Sequence, residues 1–273
     1  MSLLTIDENR CKKDGLCAIH CPMGIIAWEK GQIPTLRPGV VKACIECGHC
    51  VAICPCDAIS HQAMGPGECP RIKKELQINA EQATQFLRGR RSTRHFKSET
   101  VAPEVLEEII TLAAHAPSGH NCQPTLWQVV SGDEKVGDFA EMVIDWMRQT
   151  RDSQPELAEQ LKLGPVVKAW DQGRDLIACN APHLILVNGD GNNPMASIAC
   201  TIAAAYLDLA APAFGVGTCW LGYFRRALMN HPPLKEALGI KGSTRNFAVL
   251  AAGRPKRSYR RMPKRHHPVI NWI

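Results

Sequence analysis

Residues 44–55 read CIECGHCVAICP, with cysteines at Cys44, Cys47, Cys50 and Cys54 and Pro55 directly after the last. Gaps of two residues let a tight turn wrap three thiolates around one face of an iron–sulfur cube, while the fourth cysteine points away. Such a run calls for a partner. Residues 11–22, CKKDGLCAIHCP, supply one in altered form: Cys11, Cys17, Cys21 and Pro22 fit the same template, and Asp14 stands where its second cysteine would fall. Zinc also takes paired C-x2-C ligands. Three short gaps in succession and a trailing proline favour iron–sulfur ligation instead.

The two runs resemble the bacterial two-cluster ferredoxin domain over about residues 1–62. The resemblance implies crosswise ligation. One 4Fe–4S cluster would take Cys44, Cys47, Cys50 and Cys21; the other would take Cys11, Asp14, Cys17 and Cys54. A carboxylate is a harder ligand than a thiolate and holds iron in a sulfur site less well. The Asp14 corner is therefore expected to be labile, and its cluster to be either 4Fe–4S or 3Fe–4S.

The chain has 273 residues, enough for one or two domains. Hydrophobic residues at 45% and charged residues at 21% describe an ordinary globular protein. Thirteen cysteines are many for a reducing compartment unless most bind metal. Cys122, Cys179, Cys200 and Cys219 lie in apolar or mixed runs and read as small core residues. Cys56 lies two residues past an expected ligand, where it could be a spare thiol near a cluster, and its role is left open. The N-terminal MSLLTIDENR lacks the apolar segment of a signal peptide, so a cytoplasmic location is expected. The apolar stretch 198–216 includes Thr201, Tyr206, Asp208 and Pro212 and reads as a buried helix, not a membrane span. Net charge is +6, and residues 254–267 hold seven lysines and arginines. Nucleic acid, a solvated tail or phosphate capture could each explain that stretch.

The expected organisation is a ferredoxin-type domain at 1–62, a Pro- and Gly-rich linker at 63–79 and an α+β domain at 80–273. Helices are expected over 81–90, 103–116, 135–151, 195–211 and 233–238, and over 157–179 with a break at Gly164-Pro165. Strands are expected over 125–131, 183–188, 218–221 and 246–252. No G-x-G-x-x-G follows a strand, which argues against a Rossmann fold.

Four stretches of the second domain have chemical content. Arg90, Arg91, Ser92 and Arg94 can grip a phosphate. Residues 116–124, APSGHNCQP, form a rigid loop of amide donors and acceptors. Residues 215–224, GVGTCWLGYF, let backbone N–H groups approach a flat ligand. The basic C-terminal stretch is the fourth. In this order they resemble the flavin-dependent nitroreductase family over about residues 84–273, with a mixed sheet flanked by helices.

The resemblance implies FMN at a homodimer interface. Arg90, Arg91, Ser92 and Arg94 would hold its phosphate and ribityl chain, aided by Arg261 and Arg265. Asn121, with Pro117, Ser118 and Gln123, would meet the ring edge, and backbone N–H groups around Leu221 and Gly222 would face the flavin N5. Phosphate capture then accounts for the basic tail, and neither nucleic acid nor membrane is an expected partner. The implied function is an FMN- and iron–sulfur-dependent oxidoreductase. It takes electrons from a soluble donor such as ferredoxin or NAD(P)H and passes them to a small organic acceptor, a nitro compound, a quinone or similar. The alternatives are an electron-transfer module serving a partner protein, and an oxidative or dehalogenating flavoenzyme. No catalytic side chain is assigned: His120, His183 and Tyr223 read as hydrogen-bonded structural residues.

Overall fold

A computed structural model describes residues 2–273. The chain divides into two compact units, the first running to Ile78 and including Gly119–Cys122, the second comprising Asn79–Ser118 and Gln123–Ile273.

The first unit is built twice over. Strands β1 (Leu4–Ile6) and β4 (Ile59–His61) pair antiparallel, as do β2 (Ile26–Ala27) and β3 (Thr35–Leu36). Helices α1 (Leu16–Ile19) and α2 (His49–Ile53) each follow a glycine in the left-handed region, Gly15 at φ 73° and Gly48 at φ 71°. A Cβ at Gly15 would strike the Trp28 ring, and one at Gly48 would lie 2.7 Å from the Met64 sulfur, so both turns require glycine. After each Cys–Pro a second left-handed residue, Gly24 or Asp57, turns the chain inward to buried Ile25 or Ala58. The small core is Leu4, Ile25, Ile26 and Ile59 with Cys17.

The second unit has helices α3 (Ala80–Gly89) and α4 (Pro103–Ala113), strand β5 (Leu126–Ser131), and helices α5 (Asp133–Ser153), α6 (Pro155–Gln160) and α7 (Leu163–Asp171). Strand β6 (His183–Asp190), α8 (Ala196–Ala210), β7 (Gly217–Trp220), α9 (Gly222–Asn230), α10 (Pro232–Ala237) and β8 (Thr244–Gly253) complete it. The strands order β5-β6-β8-β7. All three pairings are antiparallel, where a mixed sheet was expected.

Side chains alternate along β6 and β8 as strand geometry demands. Leu184, Leu186, Val249 and Ala251 face a core with α5, α7 and α9. Ile185, Val187, Ala248 and Leu250 face α4 and α8. Helices thus cover both faces, the α+β arrangement expected from the sequence.

Two local expectations shift. The break after α6 falls at Lys162, which adopts φ 54°, and Gly164-Pro165 lie inside the first turn of α7. A proline is tolerated there because first-turn N–H groups have no intrahelical acceptor. Residues 172–182 are not helical. Their turn is held by Asp175, whose carboxylate accepts from the N–H groups of Ile177, Ala178 and Asn180.

The segment Ala196–Phe214 is long and apolar enough to cross a membrane by length and composition. Half of α8 is buried against the sheet and α4, including Asp208.

His183 is fully buried. Its Nε2 accepts from Val101 N–H at 2.8 Å, which leaves the proton on Nδ1 for Ser131 Oγ at 3.0 Å. Burial holds its pKa below the ordinary 6.5. The unfolded chain therefore binds a proton near pH 6.5 that the folded chain refuses, so the stability is complete above that value and lost below it. The unfolding midpoint should fall between pH 7 and pH 5, and H183Q should flatten that fall in thermal scans.

Candidate functional site

Two cavities open within the first unit. Cys21, Cys44, Cys47 and Cys50 line one, with about 370 Å³ of empty space. Cys11, Asp14, Cys17 and Cys54 line the other, with about 320 Å³. The eight expected ligands are divided four and four. Among the described residues no three His, Cys, Asp or Glu side chains converge as a single ion requires. Thiols spread around a cavity suit a cluster, whose irons each take one ligand. Burial pushes the Cys17 thiol up to about 11 and raises that of Cys50; a metal would displace such protons on binding.

The donor sets are unequal. Asp14 is exposed, and its Oδ1 accepts from Leu16 N–H at 3.1 Å, fixing the start of α1. Cys56 lines the same cavity, its sulfur 3.7 Å from that of Cys54. Its position in the duplicated run is that of Met23, which lines the first cavity. The spacing had marked Cys56 only as a neighbour.

In the second unit, the arginine motif lies beside β7. Thr93 N–H donates to Thr218 O at 2.8 Å, and Thr93 packs where a Cβ on Gly217 would stand, so Gly217 serves close approach. Lys97 N–H donates to Arg254 O, and Lys256 N–H to His95 O. The Arg91 guanidinium sits 5.6 Å over the Tyr259 ring, and Tyr259 OH donates to Ser92 O at 3.3 Å. Arg90 is held by Asp208 of α8, Nη1 to Oδ2 at 3.4 Å. Asp208 also accepts from Trp220 Nε1 at 3.1 Å and from the Thr218 hydroxyl. One carboxylate, which the sequence showed only as an interruption in an apolar helix, thus joins two of the motifs.

The expected phosphate ligands divide between two clefts. Arg94 lines an open cleft with about 2400 Å³ of empty space, together with Leu221, Gly222, Arg225 and Lys256. Arg90, Arg91 and Arg265 line a second, with Arg88, Lys264 and about 1030 Å³. Arg261 is exposed and lines neither. Leu221 N–H is taken by Val249 O at 2.8 Å. That corrects its expected role as a donor, and Gly222 stands at the start of α9, where N–H groups have no intrahelical acceptor.

The loop 116–124 is tightly constrained. His120, Asn121 and Gln123 all have positive φ, and Ser118 Oγ accepts from Gln123 N–H at 3.0 Å. Pro117 lies exposed beside it. Asn121 Nδ2, expected at a ring edge, donates to the carbonyls of Ile45 and Glu46 at 3.1 Å, within the first unit. Tyr223 OH donates to Leu161 O at 3.0 Å, a structural bond.

The fold and these motifs define a two-part redox protein, a cysteine-lined module joined to a sheet-and-helix unit. The nitroreductase family pattern matches residues 87–254 and a 4Fe-4S dicluster domain matches residues 3–55, so the chain belongs to the nitroreductase family and carries an N-terminal dicluster domain. A protein of Archaeoglobus fulgidus, provisionally named an NADH dehydrogenase/NAD(P)H nitroreductase, is 26% identical over 176 residues, 64% of this chain and 87% of its own. Iodotyrosine deiodinase 1 of Rattus norvegicus is 26% identical over 196 residues, 68% of this chain and 66% of its own. The crystal structure of a Bacteroides fragilis nitroreductase with bound FMN shares the fold, with TM-score 0.57 and 18% identity over 72% of this chain and 100% of that one.

Removing the Asp208 charge should unseat both motifs. D208N is expected to destabilise the second unit by about 3 kcal/mol, because a buried pair is broken on one side. Denaturant titration measures the loss, and quenching of Trp fluorescence reports the freed Trp220.

Proposed function

We propose that the chain is an FMN- and iron–sulfur-dependent oxidoreductase that reduces a small organic acceptor. The observation that carries this reading is the division of the ligand side chains into two four-ligand cavities in a chain that also belongs to the nitroreductase family. When bound, clusters move single electrons, and FMN stores two and delivers them together. Arg90, Arg91, Arg94 and Arg265, with Ser92, would neutralise the FMN phosphate through charge-assisted bonds. Gly222 N–H would donate to the ring edge. The separation of Arg94 from Arg90 and Arg265 supports a site completed in a homodimer. Two electrons and two protons turn a quinone into a hydroquinone, or a nitro group into a nitroso group and water. The electrons would come from reduced ferredoxin or NAD(P)H.

The open cleft is strongly cationic. Arg94, Arg174, Arg225, Arg226 and Lys256 face one carboxylate, Asp175, whose oxygens already accept three backbone bonds. Arg225 Nε is buried with no partner among the described residues. FMN phosphate accounts for part of this charge, and the remainder favours an acceptor with an anionic group.

Protein purified without oxygen should carry iron and FMN, and reduction by dithionite should bleach both chromophores. A nitroaromatic or quinone should then restore the colour at a rate proportional to its concentration. Colour restored only by a protein from the same cell would favour the electron-transfer module, and iodide release from 3-iodotyrosine would favour dehalogenation. Separately, 4-nitrobenzoate should reoxidise the protein faster than its methyl ester at low salt. R225Q should cut that advantage roughly tenfold, the worth of one hydrogen bond to a charged group, and stopped-flow absorbance measures it.

A further inference from the structure

His61 is buried at 5% exposure in the turn that closes β4, and it lines the first cysteine cavity. Its backbone is fixed by reciprocal bonds with Met64, His61 N–H to Met64 O at 2.9 Å and Met64 N–H to His61 O at 3.0 Å. Its ring is fixed too. Nδ1 accepts from Ala63 N–H at 3.0 Å. The neutral imidazole therefore carries its proton on Nε2. That Nε2 lies 3.5 Å from Cys44 Sγ. The same sulfur has the backbone N–H of Glu46 at 3.5 Å. In the second cavity the corresponding extra contacts are to Cys54, from Ala58 N–H at 3.3 Å and with the Cys56 sulfur at 3.7 Å, and no histidine lines it.

We infer that His61 donates an N–H···S hydrogen bond to Cys44 and thereby raises the reduction potential of the cluster held by Cys21, Cys44, Cys47 and Cys50. The inference rests on the cluster reading of that cavity. A donor at a ligand sulfur draws charge from it and so favours the more negative, reduced cluster; hydrogen bonds to sulfur are among the terms that set these potentials. The step moves one electron onto the cluster and breaks no bond. His61 is a positioning residue: it touches the ligand, not the iron.

The test uses the full-length protein, loaded and handled without oxygen, titrated reductively under EPR. H61L, which has no donor, should move one cluster signal to lower potential by about tenfold in its one-electron equilibrium, ~59 mV, and leave the other signal in place. H61Q, whose amide N–H can donate, should recover part of that shift. Wild-type protein labelled with 15N-histidine should show a weak nitrogen coupling on the same signal by pulsed EPR, and H61Q should lose it. The inference is overturned if H61L leaves both potentials in place, or if both signals shift together, which marks a general disturbance of the unit. If H61L fails to load, absence of the 15N coupling in the wild type overturns it alone. Iron-free protein would overturn the cluster reading and this inference together, whereas iron with no histidine effect overturns only the second.

Discussion

Asp208 is the only carboxylate among the buried residues described, and the second unit is arranged around it. A charge in that position costs several kcal/mol in lost hydration unless it is fully met. Here a guanidinium, an indole N–H and a hydroxyl meet it. The three come from Arg90, ahead of the sheet, and from Trp220 and Thr218 in β7. Satisfying the acid therefore fixes the arginine run against the glycine-rich strand. Close approach of Thr93 over Gly217 completes the seam. The electrostatic demand of one side chain sets the spacing of the arginine run and the glycine-rich strand.

The first unit solves a different problem. It is too small for a large core, and its few apolar residues share the interior with thiols. Two copies of one backbone plan, each with a left-handed glycine before a short helix, place sulfur around two hollows. Burial raises the Cys17 thiol to about 11, so a metal bound there would displace its proton. The copies have diverged in their polar contacts, with His61 beside one and Asp14 and Cys56 beside the other.

The legible parts were those fixed by spacing. Cysteine intervals pointed to both hollows, and short continuous apolar runs located β6 and β8. Three things were not legible. Asp208 looked like a flaw in an apolar helix, because its partners are distant in sequence. The N–H of Leu221 looked free, because strand pairing with Val249 depends on register that single residues do not announce. Helix α9 was hidden behind a glycine-rich stretch that reads locally as a turn. The misplaced break at Gly164-Pro165 has a similar cause: proline's meaning depends on whether a helix is starting or continuing.

The clasp between the start and finish of the second unit has a consequence for its biosynthesis. Tyr259 bonds to Ser92 across 167 positions, and Lys256 and Arg254 close on His95 and Lys97. Contacts so far apart in the chain form slowly and late. The stretch around Ser92 gains these partners only once residues 254–259 have been made, whereas both cysteine runs lie within the first 55 residues. The two units are thus completed at different moments of synthesis, the cysteine-bearing one well before the seam at Ser92 and His95.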